Sequence, residues 1–276
     1  MLTHTIKKQA AKAVALSLLA ASCLWASCGN EEKADVDFSE FEVSMSAPLD
    51  KAPDAPACKI DMTVAYASAD DSVGIKINKQ IAAMLFDMQG LSLRQAADSF
   101  ASSYTHDYVD YLTPFYKVDR SDPSKRPWYE YWYKLGTEVR HEKAGTVAYI
   151  ATREYFEGGA HSIKTQTVTN FDCSTGNAIK LADVFVPGYE RQLTDLLLQA
   201  LKEKAGAADI DALRDKGYLC SSDMHVSTNF ILGNDAITFV YNIYEIAPYE
   251  TGTTELTIGY DDIDNLLKKI SLWKKY

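Results

Sequence analysis

His161 follows two glycines in "YFEGGAHSIKTQTVTNFDC", residues 155–173, and imidazole is the side chain that most readily ligates a metal or moves a proton near neutral pH. A metal or acid–base site would combine His161 with His225, Asp223 or Glu245, if the fold brings them together. Such sites usually advertise two ligands on one element, and nothing in this spacing does so. The bland alternative is a strand-edge histidine hydrogen-bonded to backbone. Ser162, Ser221 and Ser222 lack the Gly-x-Ser-x-Gly setting of an activated nucleophile. The Gly158-Gly159 pair could offer its amides to an anion, but no phosphate-binding glycine pattern accompanies it. Gly158-Gly159-Ala160-His161 is therefore expected to be a bulge or turn of a sheet. No catalytic residue, metal site or cofactor is assigned, and the chain is read as a non-enzyme. The competing reading is an enzyme with its site around His161.

A second stretch offers recognition instead of catalysis. Tyr244, Glu245, Tyr249 and Glu250 join aromatic area to negative charge, which suits a basic protein or a sugar. Pro248 cannot donate to a strand ladder, so it ends a strand or marks an edge. The rival account has the tyrosines covering the core and the glutamates capping loops. Together with His161, these four form the candidate ligand-binding set. Trp128, Tyr129, Tyr131, Trp132 and Tyr133 could also stack on glycan rings, although strand alternation would bury about half of them.

Positioning these residues requires a sheet. "FEVSMSA" (41–47) and "CKIDMTVAYA" (58–67) alternate apolar and polar residues and predict paired strands, joined by the Pro- and Asp-rich "PLDKAPDAPA". Val73, Ile77, Ile81, Met84, Leu85 and Met88 recur at helical spacing, and a second helix is predicted from 92 to about 112. Strand patterns return at 147–151 and 165–170, and "STGN" (174–177) reads as a turn. An amphipathic helix spans 189–204, followed by a short helix at "DIDALRDKG". A hairpin turns around Gly233-Asn234-Asp235, and the strand "TELTIGY" and a terminal helix "DDIDNLLKKI" follow. The order of elements predicts an α+β fold: a mainly antiparallel sheet packed with several helices.

The N-terminus carries Lys7, Lys8 and Lys12 before an apolar run from Ala13 to Leu24, which is too short to span a bilayer and suits the core of a signal peptide. The run ends near Cys28, with Cys23 as the rival, in the manner of a bacterial lipoprotein signal. No second run of spanning length follows, so membrane attachment would be through an N-terminal lipid only. Residues 29–40 are polar and acidic and read as a tether. The chain has 28 bases and 38 acids; loss of the three signal lysines leaves 25 bases and a net charge of −13. That balance disfavours nucleic acid and favours a cationic partner. Cys58, Cys173 and Cys220 match no metal spacing, and a pairing among them is left open.

The residues of the second half carry a resemblance. Gly158-Gly159-Ala160-His161, Asn170-Phe171-Asp172 before Thr175-Gly176, and Tyr244 to Tyr249 before Gly252 resemble the extracellular domain of the anti-sigma factor RsiV. Residues 41 to 140 resemble, more weakly, the small domain that precedes it there and in the peptidoglycan deacetylase PdaC. Asn30-Glu31-Glu32 resembles the export signal of Bacteroidetes surface lipoproteins. With the signal peptide read at 1–27 and the tether at 28–40, the resemblance implies a PdaC-like domain at 41–140 and an RsiV-like domain at 141–276. It also implies a cell-envelope protein, at the outer membrane on its periplasmic or surface face, that binds a lysozyme-like cationic protein or a peptidoglycan fragment. The deacetylase's catalytic domain and its His-x-x-x-His metal motif have no counterpart in this sequence. The alternatives are a cell-wall glycan-modifying enzyme and a structural partner in an outer-membrane assembly.

Overall fold

The computed structural model describes residues 35–269, so the signal segment with Cys23 and Cys28 lies outside them. Strands β1 (Phe38–Pro48) and β2 (Ala57–Ala67) form a long antiparallel hairpin. The strand begins three residues earlier than the sequence suggested, so residues 38–40 are sheet and not tether. Its partner buries Cys58, Ile60, Met62 and Val64 on one face, as the alternation predicts. Helices α1 (Ser72–Phe86) and α2 (Leu93–Asp119) then cross over to β3 (Tyr131–Arg140), which lies parallel to β2. Strands β4 (Thr146–Phe156), β5 (Ile163–Asp172) and the two-residue β6 (Ala178–Ile179) complete a six-stranded sheet in sequence order, antiparallel elsewhere. The expected division at residue 140 falls at the end of β3, inside this sheet.

Both new helices start on side-chain caps. Asp71 accepts from the amides of Val73 and Gly74, and Ser92 forms a capping box with Gln95. The second helix runs seven residues past the predicted end, straight through Pro114. A proline there removes one backbone donor, so sequence reasoning ends the helix before it. Packing outweighs that loss: Leu112 is buried, and Tyr116 meets Tyr129 with ring centroids 5.3 Å apart.

The remaining chain supplies α3 (Leu181–Val184), α4 (Glu190–Ala205), α5 (Ile210–Asp215) and a three-stranded antiparallel sheet of β7 (Phe230–Leu232), β8 (Ala236–Tyr241) and β9 (Thr254–Gly259). Leu193, Leu197 and Leu201 of α4 are fully buried with Ile237, Phe239 and Tyr241 of β8. The predicted terminal helix does not form. Tyr260–Asp262 and Asp264–Leu266 are separate 3-10 turns, broken at Ile263. Residues 266–268 pair instead with 184–186, through Val186 N–H to Leu266 O (2.8 Å) and Lys268 N–H to Val184 O (2.9 Å). Ile263, Leu266 and Leu267 have helical spacing, and tertiary pairing overrides that local preference.

Asparagine side chains join the two sheets. Asn170 on β5 donates to Phe230 O (2.7 Å) and accepts from Leu232 N–H (3.1 Å), both on β7. Asn229 accepts from Val168 N–H and donates to Gln166 O, while Asn242 accepts from Gln166 N–H and donates to the same carbonyl. Each amide thus reads one donor and one acceptor of a strand, as a neighbouring strand would. Ala148, Ile150, Val168, Ile231 and Val240 form the small apolar contact between the sheets.

Beyond Asn170 the chain turns on Asp172, whose Oδ1 accepts from the amides and hydroxyls of Ser174 and Thr175 at 2.6–3.1 Å. Gly176 closes this turn at φ +66°, and a Cβ there would stand 2.9 Å from Val73 O of α1. Glycine serves both the left-handed backbone and the close approach. Burial alone would push the Asp172 carboxyl up, but the hydrogen bonds from Ser174 and Thr175 outweigh it and hold it below the usual aspartate range.

Two outcomes follow. Asn170→Leu strands a buried carbonyl on Phe230 and a buried amide on Leu232, and should cost about 2–4 kcal/mol in urea unfolding. Asp172 contributes stability that is fully present above the unfolded-state value near 3.9 and is lost as pH falls through the lowered folded value. Asp172→Asn should therefore be less stable than wild type at pH 7, with the difference shrinking toward pH 2 in parallel melts.

Candidate functional site

The β4–β5 turn, residues 157–162, holds the first candidate side chain. Gly158 and Gly159 sit at φ +78° and +109°, and a Cβ on Gly158 would come 3.4 Å from Trp128 O. The pair is a hairpin turn, not a bulge, and glycine is what the backbone there requires. Glu157 anchors the turn by accepting from the Tyr104 hydroxyl at 2.5 Å. Burial, then this carboxylate, push the Tyr104 hydroxyl well above the ordinary tyrosine range.

His161 is exposed at the end of this turn. Its Nδ1 lies 3.1 Å from Ser162 O, and its ring stacks on Tyr249 at 4.5 Å and 30°. Tyr249 in turn lies 5.7 Å from Tyr244. Three rings from two distant segments thus form one row. The second segment is the β8–β9 connection, which Pro248 leads into a 3-10 turn at Tyr249–Thr251. Tyr244 adopts φ +67°, a region that non-glycine residues avoid, and is 57% exposed. Glu250 is exposed beside Tyr249.

Glu245 faces the other way. Its Oε1 meets His225 Nε2 at 3.0 Å, and its Oε2 accepts from Asn242 N–H at 2.8 Å. Ser222 Oγ donates to Glu245 O, and the Tyr241 hydroxyl donates to His225 O at 2.7 Å. Of the expected set, the structure therefore gathers His161, Tyr244 and Tyr249, with Glu250 alongside, and turns Glu245 into the brace behind them. His225 joins Glu245 and not His161. No group of three His, Cys, Asp or Glu able to hold a metal occurs among the described residues. The row can stack on flat apolar or sugar faces and can attract positive charge through Glu250.

The other candidates divide by burial. Tyr129 and Tyr133 are core residues, Trp128 is 61% exposed, and Trp132 stacks on Phe156 under Lys134 Nζ. Cys58 and Cys173 are buried, and burial pushes their thiols up to about 12 and about 11, so neither is a reactive thiolate at neutral pH. Cys220 is exposed, and all three are free. Cys220, Ser221 and Ser222 line an open depression with Arg214, Leu219 and Asp223. No helix among the described residues is long and apolar enough to cross a membrane.

Sequence reasoning missed the roles of Tyr241, Asn242 and Tyr104, because each acts through a contact between segments distant in the chain. The asymmetry between the two glutamates is testable. Glu245→Ala should cost about 1–3 kcal/mol and speed amide exchange across 242–252, while Glu250→Ala should stay within about 0.5 kcal/mol of wild type. Hydrogen exchange with thermal melts reads both.

The family model described as "Protein of unknown function (DUF3298)" matches residues 182–261. That span contains the β8–β9 connection with its two tyrosines and two glutamates. The chain is similar to a solved member of the DUF3298 family from Bacteroides fragilis NCTC 9343, with 30% identity over 87% of this chain and 96% of that one, at a TM-score of 0.79. It shares its fold with a DUF3298 family protein from Pseudomonas aeruginosa PAO1, at 20% identity, covering 88% and 99% of the two chains, at a TM-score of 0.60. No curated protein matches it.

Proposed function

The chain belongs to the DUF3298 family, and from that premise we propose a non-catalytic binding module of the cell envelope, exported and lipid-anchored at Cys28. The observation that carries this reading is the ring row His161–Tyr249–Tyr244, exposed at its two ends and half-buried at Tyr249, with Glu250 at its side. Its first ligand in this reading is a lysozyme-like cationic protein, which the net charge of −13 would draw in. Its second is a peptidoglycan fragment, since stacked rings suit the flat faces of sugars.

The placement of the row supports the same reading. Described residues enter the sheet at Phe38, paired with Ala67, whereas Pro48, Ala57, Tyr131, Phe156 and Ile163 lie at its other end. The β4–β5 turn belongs to that far end, about 30 Å away by strand rise. The row thus lies at the end of the sheet opposite to that at which the described chain enters it.

Isothermal titration with lysozyme and with soluble peptidoglycan fragments, at low and moderate salt, tests the proposal. Tyr249→Ala should weaken binding about tenfold or more by removing the central ring, and Glu250→Lys should weaken lysozyme binding chiefly at low salt. Absence of binding to both ligands at both salts would remove the reading.

A further inference from the structure

Helix α2 carries an apolar stripe on its outer side. Tyr111, Phe115 and Val118 are 69%, 53% and 79% exposed, and Pro114 is exposed between them. At about 100° per residue these four positions fall within roughly 100° of the helix circumference. The adjoining face, about 100° round the helix, is already satisfied, because Ala101, Thr105, Tyr108 and Leu112 are buried against the sheet and the neighbouring helix. Tyr111 and Phe115 pack on each other with ring centroids 5.6 Å apart, so the stripe is a formed surface. Large apolar side chains grouped this way on an exposed helix usually mark an interface.

The charges on the flank of the stripe indicate its partner. Asp110 and Lys117 project from the same side of the helix, about 20° apart by the same count. When two copies of a helix pair antiparallel, each flank meets its own counterpart, and residues early in one helix face residues late in the other. An axis passing between Pro114 and Phe115 sets Tyr111 against Val118 of the partner subunit. It also brings Asp110 within reach of the partner's Lys117, and the contact occurs twice. His106 Nε2 lies 3.2 Å from Asp110 on the same helix, where both are solvent-exposed. The stripe and its flank are therefore self-complementary, acidic toward the N-terminal side and basic toward the C-terminal side.

We propose that α2 is the dimerisation helix of this protein, closing its outer apolar stripe on a second copy across a two-fold axis. This surface is separate from the ring row and does not depend on what that row binds.

Sedimentation of the full chain over a range of about 1–100 µM tests it, bracketing the affinity expected of a modest interface. Wild type should sediment as a reversible dimer. Phe115→Glu should raise the dissociation constant about tenfold or more, while at dilutions where both proteins are monomeric its melting temperature should match wild type, since the side chain packs outside the core. Asp110→Lys and Lys117→Asp should each weaken the dimer several-fold, and the double swap should return it to within about twofold of wild type. A wild-type monomer at every concentration would overturn the proposal. So would a dimer indifferent to Phe115→Glu, or a double swap no tighter than either single change.

Discussion

The first six residues of strand β4, Thr146–Ala151, are buried on both faces, and the architecture follows from that. Val147, Tyr149 and Ala151 point into the core under α1 and α2, while Ala148 and Ile150 point the opposite way into a contact with Ile231 and Val240. A sheet that is apolar on both sides must be covered on both sides. The helices of the β2–β3 crossover supply one cover and the three-stranded sheet supplies the other. The second cover is held by few apolar residues, and the asparagines 170, 229 and 242 do the rest by satisfying backbone groups of β5 and β7 that would otherwise be buried unpaired. Ser227 extends the network by donating to Val240 O and accepting from Asn229 N–H.

The ring row depends on this docking. His161 belongs to a turn of the six-stranded sheet, and Tyr249 to a connection of the three-stranded one, so the stack exists only while the sheets stay in register. Asn242 links the two requirements. Its side chain holds Gln166 of β5, and its amide is held by Glu245, whose other oxygen meets His225. The backbone strain at Tyr244 is tolerated because its neighbours on both sides are fixed by these bonds. Inter-sheet packing, loop conformation and ring exposure are thus one arrangement seen at three scales.

Much of the fold was legible in the sequence. The alternation in β2, the helical spacing of Ile77, Ile81 and Leu85, and the turn residues around Gly233 each specify local structure, and each element forms. What escaped detection was decided by contacts between distant segments. The stretch after Asp261 carries a helical pattern but pairs with 184–186, and α2 passes a proline because aromatic packing compensates. In the candidate site, adjacent residues Tyr244 and Glu245 take opposite roles, one outward and one inward. Only the left-handed backbone at Tyr244 separates them, and no residue-type pattern announces a tyrosine in that region.

The amide bridges on β5 have a consequence for the edge of the sheet. Beyond its short pairing with β6, the outer edge of β5 would offer free amides and carbonyls at Gln166 and Val168, which is the template on which a foreign strand adds. Asn229 and Asn242 occupy the amides of both residues and the carbonyl of Gln166 with side-chain amides, so the ladder there ends in groups that cannot propagate it. Along Gln166–Val168 this edge of the sheet is terminated chemically instead of by a further strand.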